Sequence, residues 1–333
     1  MRILITGCGA LSKELIDDMR KNKDGEEIFV VGINNNQNAM LKTSVNETIV
    51  VPSITDDSYL PTLLEICKKY DIQVIVPYIT KELPILAKNR KLFEDNGIKV
   101  SVSSIESLAI VNDKIELQKM FGKYMPAQII PQSIEEANKF IDEYKSVCCK
   151  INDACGGVGF CVVDESKAFD VGLIGKTGKP RYITREYLGE LLKRYKGKII
   201  LQKYVGGYDY STSALSDNGK VKGMCGYYGY EMLYGCVVDG EIKQNEKAYA
   251  IHKEIIEKTG LDGNSCADFM IDGDDVYLLE INPRVNGSLP FVTKAGADFL
   301  YDRCKMLLGE YRDKDYHFNY GLRMEKYFEA NYF

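Results

Sequence analysis

At 333 residues the chain exceeds the usual size of one domain, so two or three compact units are expected. A content of 45% hydrophobic and 27% charged residues is that of a globular protein and argues against disordered or fibrous classes. The net charge of -5 argues against a broad polyanion-binding surface, so no nucleic-acid partner is expected.

The first segment alternates apolar runs with amphipathic stretches: Arg2-Ile3-Leu4-Ile5-Thr6, a Gly turn, then a helix over 11–21. The same alternation continues through an apolar run at 28–33, a helix over 59–70, a strand over 72–76 and a helix over 81–96. This is βαβ patterning and predicts a parallel sheet covered by helices. Gly7-Cys8-Gly9 follows the first strand as a dinucleotide-binding turn would, but the sixth position of the fingerprint is Ser12. Asn34-Asn35-Asn36 also stands where a ribose-binding acid belongs, so the pair reads as a tight structural turn.

A long helical stretch is expected over 104–122, and Pro126 and Pro131 then punctuate the chain near a domain boundary. Beyond them, Gly-containing hairpins alternate with fewer helices, at 133–144 and 186–195, which predicts an α+β half.

Four constellations carry chemistry. Lys150 ends an apolar strand, where an unpaired ammonium is costly to bury and calls for an anion. The loop that follows holds Gly156, Gly157 and Gly159, whose free amides could close over phosphate oxygens. Lys114 is a candidate second phosphate contact. The strand Ile199-Ile200-Leu201-Gln202-Lys203-Tyr204-Val205 runs into Gly206-Gly207, so its backbone could read an adenine edge while Gln202 and Asp209 hold the base amino group and ribose hydroxyls.

The fourth constellation is the hairpin 267–284. Period-two alternation places Glu280 and Asn282 on one face, near Asp268 on the adjoining strand. Such hard oxygen donors suit magnesium held together with phosphates. Glu280 stands inside the apolar run 276–281, whereas the turn acids Asp272, Asp274 and Asp275 read as solvated.

In this order the motifs resemble the ATP-grasp superfamily, particularly the branch of the carbamoyl-phosphate synthetase large subunit and amino-acid ligases. Asp71-Ile72-Gln73-Val74-Ile75-Val76-Pro77 with Glu82-Leu83 looks like that family's pre-ATP-grasp domain. The resemblance implies an α/β, Rossmann-like pre-ATP-grasp domain over 1–105, a connecting helix over 106–125, and an α+β ATP-grasp fold. The latter divides into a small subdomain over 126–205 with the Gly-rich flap and a C-terminal subdomain over 206–333.

It further implies ATP and Mg2+, with Mn2+ as an alternative, as cofactors. Lys114 and Lys150 would contact phosphate, Gly156, Gly157 and Gly159 would form the flap, Gln202, Lys203, Tyr204 and Val205 the adenine hinge, and Asp209 the ribose contact. Asp268, Glu280 and Asn282 would hold metal. Arg284 would steady the carboxylate or acyl phosphate, acting with Lys150 in catalysis, and Asn286, Gly287 and Ser288 would line the substrate side. The implied activity is an ATP-dependent carboxylate–amine or carboxylate–thiol ligase acting through an acyl phosphate on small-molecule substrates, with a homodimer as an assembly option.

Three departures bear on this. The family commonly has Glu where Gln202 and Asp209 stand, and both replacements keep an acceptor oxygen. Cys266 occupies the position of an arginine in D-alanyl-D-alanine-type ligases, which moves the oxyanion role to Arg284. The chain is also too short for a synthetase with paired ATP-grasp halves, so a stand-alone ligase is expected.

Seven tyrosines between Tyr204 and Tyr234 could line an acceptor pocket or face solvent. The ten cysteines are scattered without a CxxC pair and read as reduced packing thiols. With His252 and His317 as the two histidines, the chemistry falls to Lys, Arg and carboxylates. No apolar run approaches a membrane span and the N-terminal segment lacks a signal-peptide pattern, so no membrane partner and a cytoplasmic location are expected. Two competing readings are a catalytically silent or regulatory ATP-binding protein of the same fold, and a Rossmann oxidoreductase resting on Gly7 and Gly9 alone.

Overall fold

The computed structural model describes residues 1–40, 44–152, 159–169, 181–233 and 236–327. Five short parallel strands open the chain: β1 (Arg2–Ile5), β2 (Phe29–Asn34), β3 (Glu47–Val50), β4 (Val74–Val76) and β5 (Lys99–Val100). They pair in the order β3-β2-β1-β4-β5. Ile3 and Ile5 of β1 pack into one hydrophobic cluster and Leu4 into another on the opposite face. A strand covered on both faces reads as an unbroken apolar run, which is why 2–6 has no polar alternation.

The helix Ala10–Met19 is capped at Gly9, where Ser12 and the Gly9 backbone exchange hydrogen bonds. Gly7 adopts φ +57°, and a Cβ there would lie 2.4 Å from Ile79, so the tight turn expected at Gly7-Cys8-Gly9 is present.

The single helix expected over 104–122 is two helices, Ile105–Val111 and Lys114–Phe121. The break comes from Asp113, whose carboxylate accepts from the amides of Ile115 and Glu116 and starts the second helix. The helix expected over 81–96 is likewise divided: a 3-10 turn at Thr80–Glu82 leads into Leu83–Lys88 with Pro84 in its first turn, and Asn89 separates it from Arg90–Glu94.

Next come β6 (Gln128–Ile129), β7 (Val147–Ile151), β8 (Cys161–Val163), β9 (Arg181–Ile183) and β10 (Ile199–Lys203), paired as β6-β10-β7-β8-β9. Helices Ile134–Tyr144 and Arg185–Arg194 cover this sheet. Ser133 and Thr184 cap them, each side chain accepting from an amide three residues on.

The last sheet holds β11 (Tyr208–Asp217), β12 (Lys220–Leu233), β13 (Cys236–Ile242), β14 (Gly263–Asp272), β15 (Asp275–Asn282) and β16 (Arg323–Glu325), in the order β15-β14-β11-β12-β13-β16. Helix Glu246–Thr259 packs on one face with Tyr210, Ala214 and Phe269. On the other, Leu215, Cys225 and Tyr227 join Phe291 and Val292 and continue into the cluster beneath β1. The N-terminal sheet and the last sheet thus share one hydrophobic core, which fixes the seam where the cleft lies.

The nine described cysteines are free, as expected; Cys155 lies outside the described residues. Among the described residues no helix is long and apolar enough to cross a membrane.

Candidate active site

A cleft of about 440 Å³ runs between the sheets, lined among others by Lys150, Phe160, Asp209, Asp268, Glu280, Asn282, Arg284, Asn286, Gly287 and Ser288. Residues from four separate stretches of sequence meet in it because the β14–β15 hairpin lies beside β11. Asp268 pairs with Ser211 on one side and with Glu280 on the other. A bulge at Leu279 shifts the ladder by one residue immediately beyond Glu280, so both Leu279 and Glu280 reach the cleft.

Asp268 is the most heavily engaged of these groups. Its Oδ1 accepts from Ser211 Oγ at 2.7 Å and from the Cys266 thiol at 3.5 Å, and its Oδ2 accepts from Asn282 Nδ2 at 3.0 Å. Burial, then the neighbouring Glu280 carboxylate, push its pKa above the ordinary carboxylate range against these hydrogen bonds. A divalent cation would relieve that repulsion. The donor set fits one: two carboxylates and an amide oxygen, all hard ligands. Among the described residues no group of three or more His, Cys, Asp or Glu could enclose an ion, so the remaining ligands would be phosphate oxygens or water.

Lys150 donates to Gln202 Oε1 at 2.7 Å, and Gln202 Nε2 donates to Gln128 Oε1 at 2.7 Å. Burial lowers the Lys150 pKa; Glu280 and Cys148 act in the opposite direction. The ammonium thus meets an uncharged partner and still calls for an anion. Lys114 sits beside Glu280, Nζ to Oε2 at 3.9 Å, and near the Asn152 carbonyl at 3.5 Å. Asp209 lines the same end of the cleft, its pKa raised by burial.

Part of the expected hinge backbone is already paired. The Lys203 amide donates to Ala127 O and the Tyr204 amide to Ser146 O, because β10 is flanked by β6 and β7. Those two N–H groups cannot read a base edge, and the buried Gln202 side chain is committed to Lys150 and Gln128. Gly156 and Gly157 lie outside the described residues; Gly159 is described, at φ +77°.

At the far end, Arg284 Nε donates to Thr80 Oγ1 at 2.9 Å and Nη1 to Val285 O at 2.8 Å, and the guanidinium lies 5.8 Å from the centre of the Tyr78 ring. β15 ends at Asn282, so it is the Pro283 turn, with the Arg284 amide donating to Asn282 O, that delivers the guanidinium. Asn286 Nδ2 donates to Tyr227 OH at 3.3 Å, and the Val237 amide donates to Ser288 Oγ at 3.3 Å. A Cβ on Gly287 would lie 2.6 Å from Cys236 Sγ, so only glycine lets this loop close onto β13. Tyr210 and Tyr227 line the cleft, whereas Tyr208 and Tyr230 face solvent; Tyr234 lies outside the described residues.

The sequence profile of the family described as ATP-grasp domain matches residues 111–288, which contain every cleft contact above except those of Tyr78 and Thr80. The chain belongs to the ATP-grasp family. Residues 3–101 of this ATP-grasp protein match the PylC-like N-terminal domain. The arginine-specific carbamoyl phosphate synthase large chain of Bacillus subtilis is 21% identical over 216 residues, 60% of this chain. The match spans only 19% of that relative's length.

Among solved structures, the biotin carboxylase domain dimer of Hydrogenobacter thermophilus 2-oxoglutarate carboxylase, in complex with MgADP, ADP and bicarbonate, superposes with TM-score 0.67 at 18% identity, over 96% of this chain and 72% of that one. The L-amino acid ligase of Bacillus licheniformis gives TM-score 0.63 at 13% identity, over 93% and 76%. The shared fold is that of an N-terminal α/β domain followed by the ATP-grasp fold.

Sequence reasoning missed Tyr78, Thr80, Ser211 and Cys236. Thr80 and Arg284 are 204 positions apart, and nothing local to either marks the contact.

Proposed function

We propose that this ATP-grasp protein is an ATP-dependent ligase that activates a small carboxylate as an acyl phosphate and transfers the acyl group to a nitrogen nucleophile. The carrying observation is the convergence of Lys150, the Asp268–Glu280–Asn282 donor set and Arg284 in one cleft. The magnesium-ADP complex of the structurally similar biotin carboxylase domain supports ATP and Mg2+ as the cofactors.

In this reading Lys150 and Lys114 neutralise phosphate charge, and Asp209 binds the ribose. Gln202 acts through Lys150, and the hinge contact to adenine comes from the backbone of Lys203, Tyr204 and Val205 other than the two paired amides. Asp268, Glu280 and Asn282 would hold Mg2+, which supplies charge neutralisation at the phosphates. Arg284 holds the carboxylate with paired hydrogen bonds as its oxygen attacks the γ-phosphorus and ADP leaves. The nucleophile's lone pair then adds to the acyl carbon, inorganic phosphate departs with the C–O bonding pair, and the nucleophile loses a proton. Positioning and charge neutralisation supply the rate, with no covalent enzyme intermediate.

A screen of carboxylate and amine pairs for ADP release, with products identified by mass spectrometry, tests the reading. Acid-dependent ADP release with an amide product supports it. Stable ATP binding with no acid-dependent release from any pair would favour the silent ATP-binding alternative.

A further inference from the structure

The arginine end of the cleft has a distinctive charge balance. Among the described residues lining the cleft, Lys150 and Arg284 are the only cations, and Lys150 belongs to the end shared with Asp209 and Glu280. The described cleft residues around Arg284 are uncharged: Tyr78, Tyr227, Cys236, Val237 and the 286–288 loop; Lys326, near Cys236, is paired with Glu14.

Arg284 itself has little freedom to serve a second anion, since Thr80 and the Val285 carbonyl take its Nε and Nη1. The Tyr78 hydroxyl is buried beside it and finds no partner among the described residues. It lies behind Gly287, 3.6 Å from where a Cβ on that residue would stand. The pocket therefore offers one guanidinium face, neutral hydrogen-bonding groups and an apolar wall.

We infer that the carboxylate substrate carries a single anionic group, the one that is activated, on a body with no second carboxylate or phosphate. The inference rests on the ligase reading above and narrows its substrate class. A second anion in this pocket would be desolvated against Tyr227, Cys236 and Val237 with no unpaired cation to meet it among the described lining residues, a cost that discriminates by exclusion rather than by added contacts.

The test compares matched acids with hydroxylamine as a common nucleophile, reading ADP and hydroxamate: butyrate against succinate, L-leucine against L-glutamate, and L-serine against O-phospho-L-serine. The singly anionic member of each pair that turns over is expected to have a kcat/KM higher by about tenfold or more.

Equal or better use of the doubly anionic member in any pair would overturn the inference and leave the ligase reading standing. No ADP or hydroxamate from any of the six acids would instead remove the ligase reading, and this inference with it.

Discussion

Asp268 and Glu280 face each other across the β14–β15 ladder, and burial together with the Glu280 charge holds the Asp268 carboxyl above its ordinary pKa. Two carboxylates kept this close are stabilised by a cation between them. Glu280→Gln removes one charge at nearly constant volume. Turnover should be lost at saturating magnesium while circular dichroism shows an intact fold, and Asp268→Asn should behave the same way. Normal ADP release by Glu280→Gln would mark the hairpin acids as structural.

Lys150 donates to the neutral Gln202 amide and is otherwise set to meet an anion. Lys150→Ala should weaken ATP binding by roughly 1.5–3 kcal/mol, the usual value of a charge-assisted hydrogen bond, or about tenfold to more than a hundredfold in Kd. Calorimetry showing unchanged ATP affinity would remove Lys150 from the phosphate site.

Much of this is legible in the amino-acid sequence. The parallel sheet followed from the βαβ alternation, and the spacing of Asp268, Glu280 and Asn282 followed from period two on a hairpin. What escaped was long-range or competitive. The Asp113 cap divides a stretch whose apolar periodicity runs straight through. The hinge amides of 203 and 204 are consumed by β6 and β7, pairing that no local pattern announces. The contact of Arg284 with Thr80 exists only because the first and last sheets share a core.

Glu82 is fully buried in the N-terminal domain, accepting hydrogen bonds from Thr6 and Tyr59, and burial pushes its pKa up to about 7. A carboxyl whose folded pKa exceeds its unfolded value of 4.5 favours the fold most below pH 4.5. That contribution declines as pH rises and is gone above about 7. The loss is on the order of a few kcal/mol. Glu82→Gln should flatten the stability–pH curve in this window, gaining on the parent protein towards pH 8 in urea denaturation. An unchanged slope would show that Glu82 does not titrate there.

Arg303 is buried at the seam and pairs bidentately with Asp262, at 3.0 and 2.6 Å. Asp262→Ala leaves that guanidinium buried without its counter-ion, which should cost about 3–5 kcal/mol of stability. Chemical denaturation measures it directly. A change below about 1 kcal/mol would show that the site rehydrates at little cost.

The central claim is that the carboxylate leaves the cleft's arginine end as an acyl phosphate. The most direct measurement is trapping with hydroxylamine in the presence of an accepted acid and magnesium-ATP, with nucleotide products resolved. The account predicts hydroxamate and ADP in equal amounts. It also predicts that Arg284→Lys, which keeps the charge but loses the fork, retains ATP binding while both products form about 10²-fold more slowly or worse. Hydroxamate accompanied by AMP, or a normal trapping rate in Arg284→Lys, would contradict it.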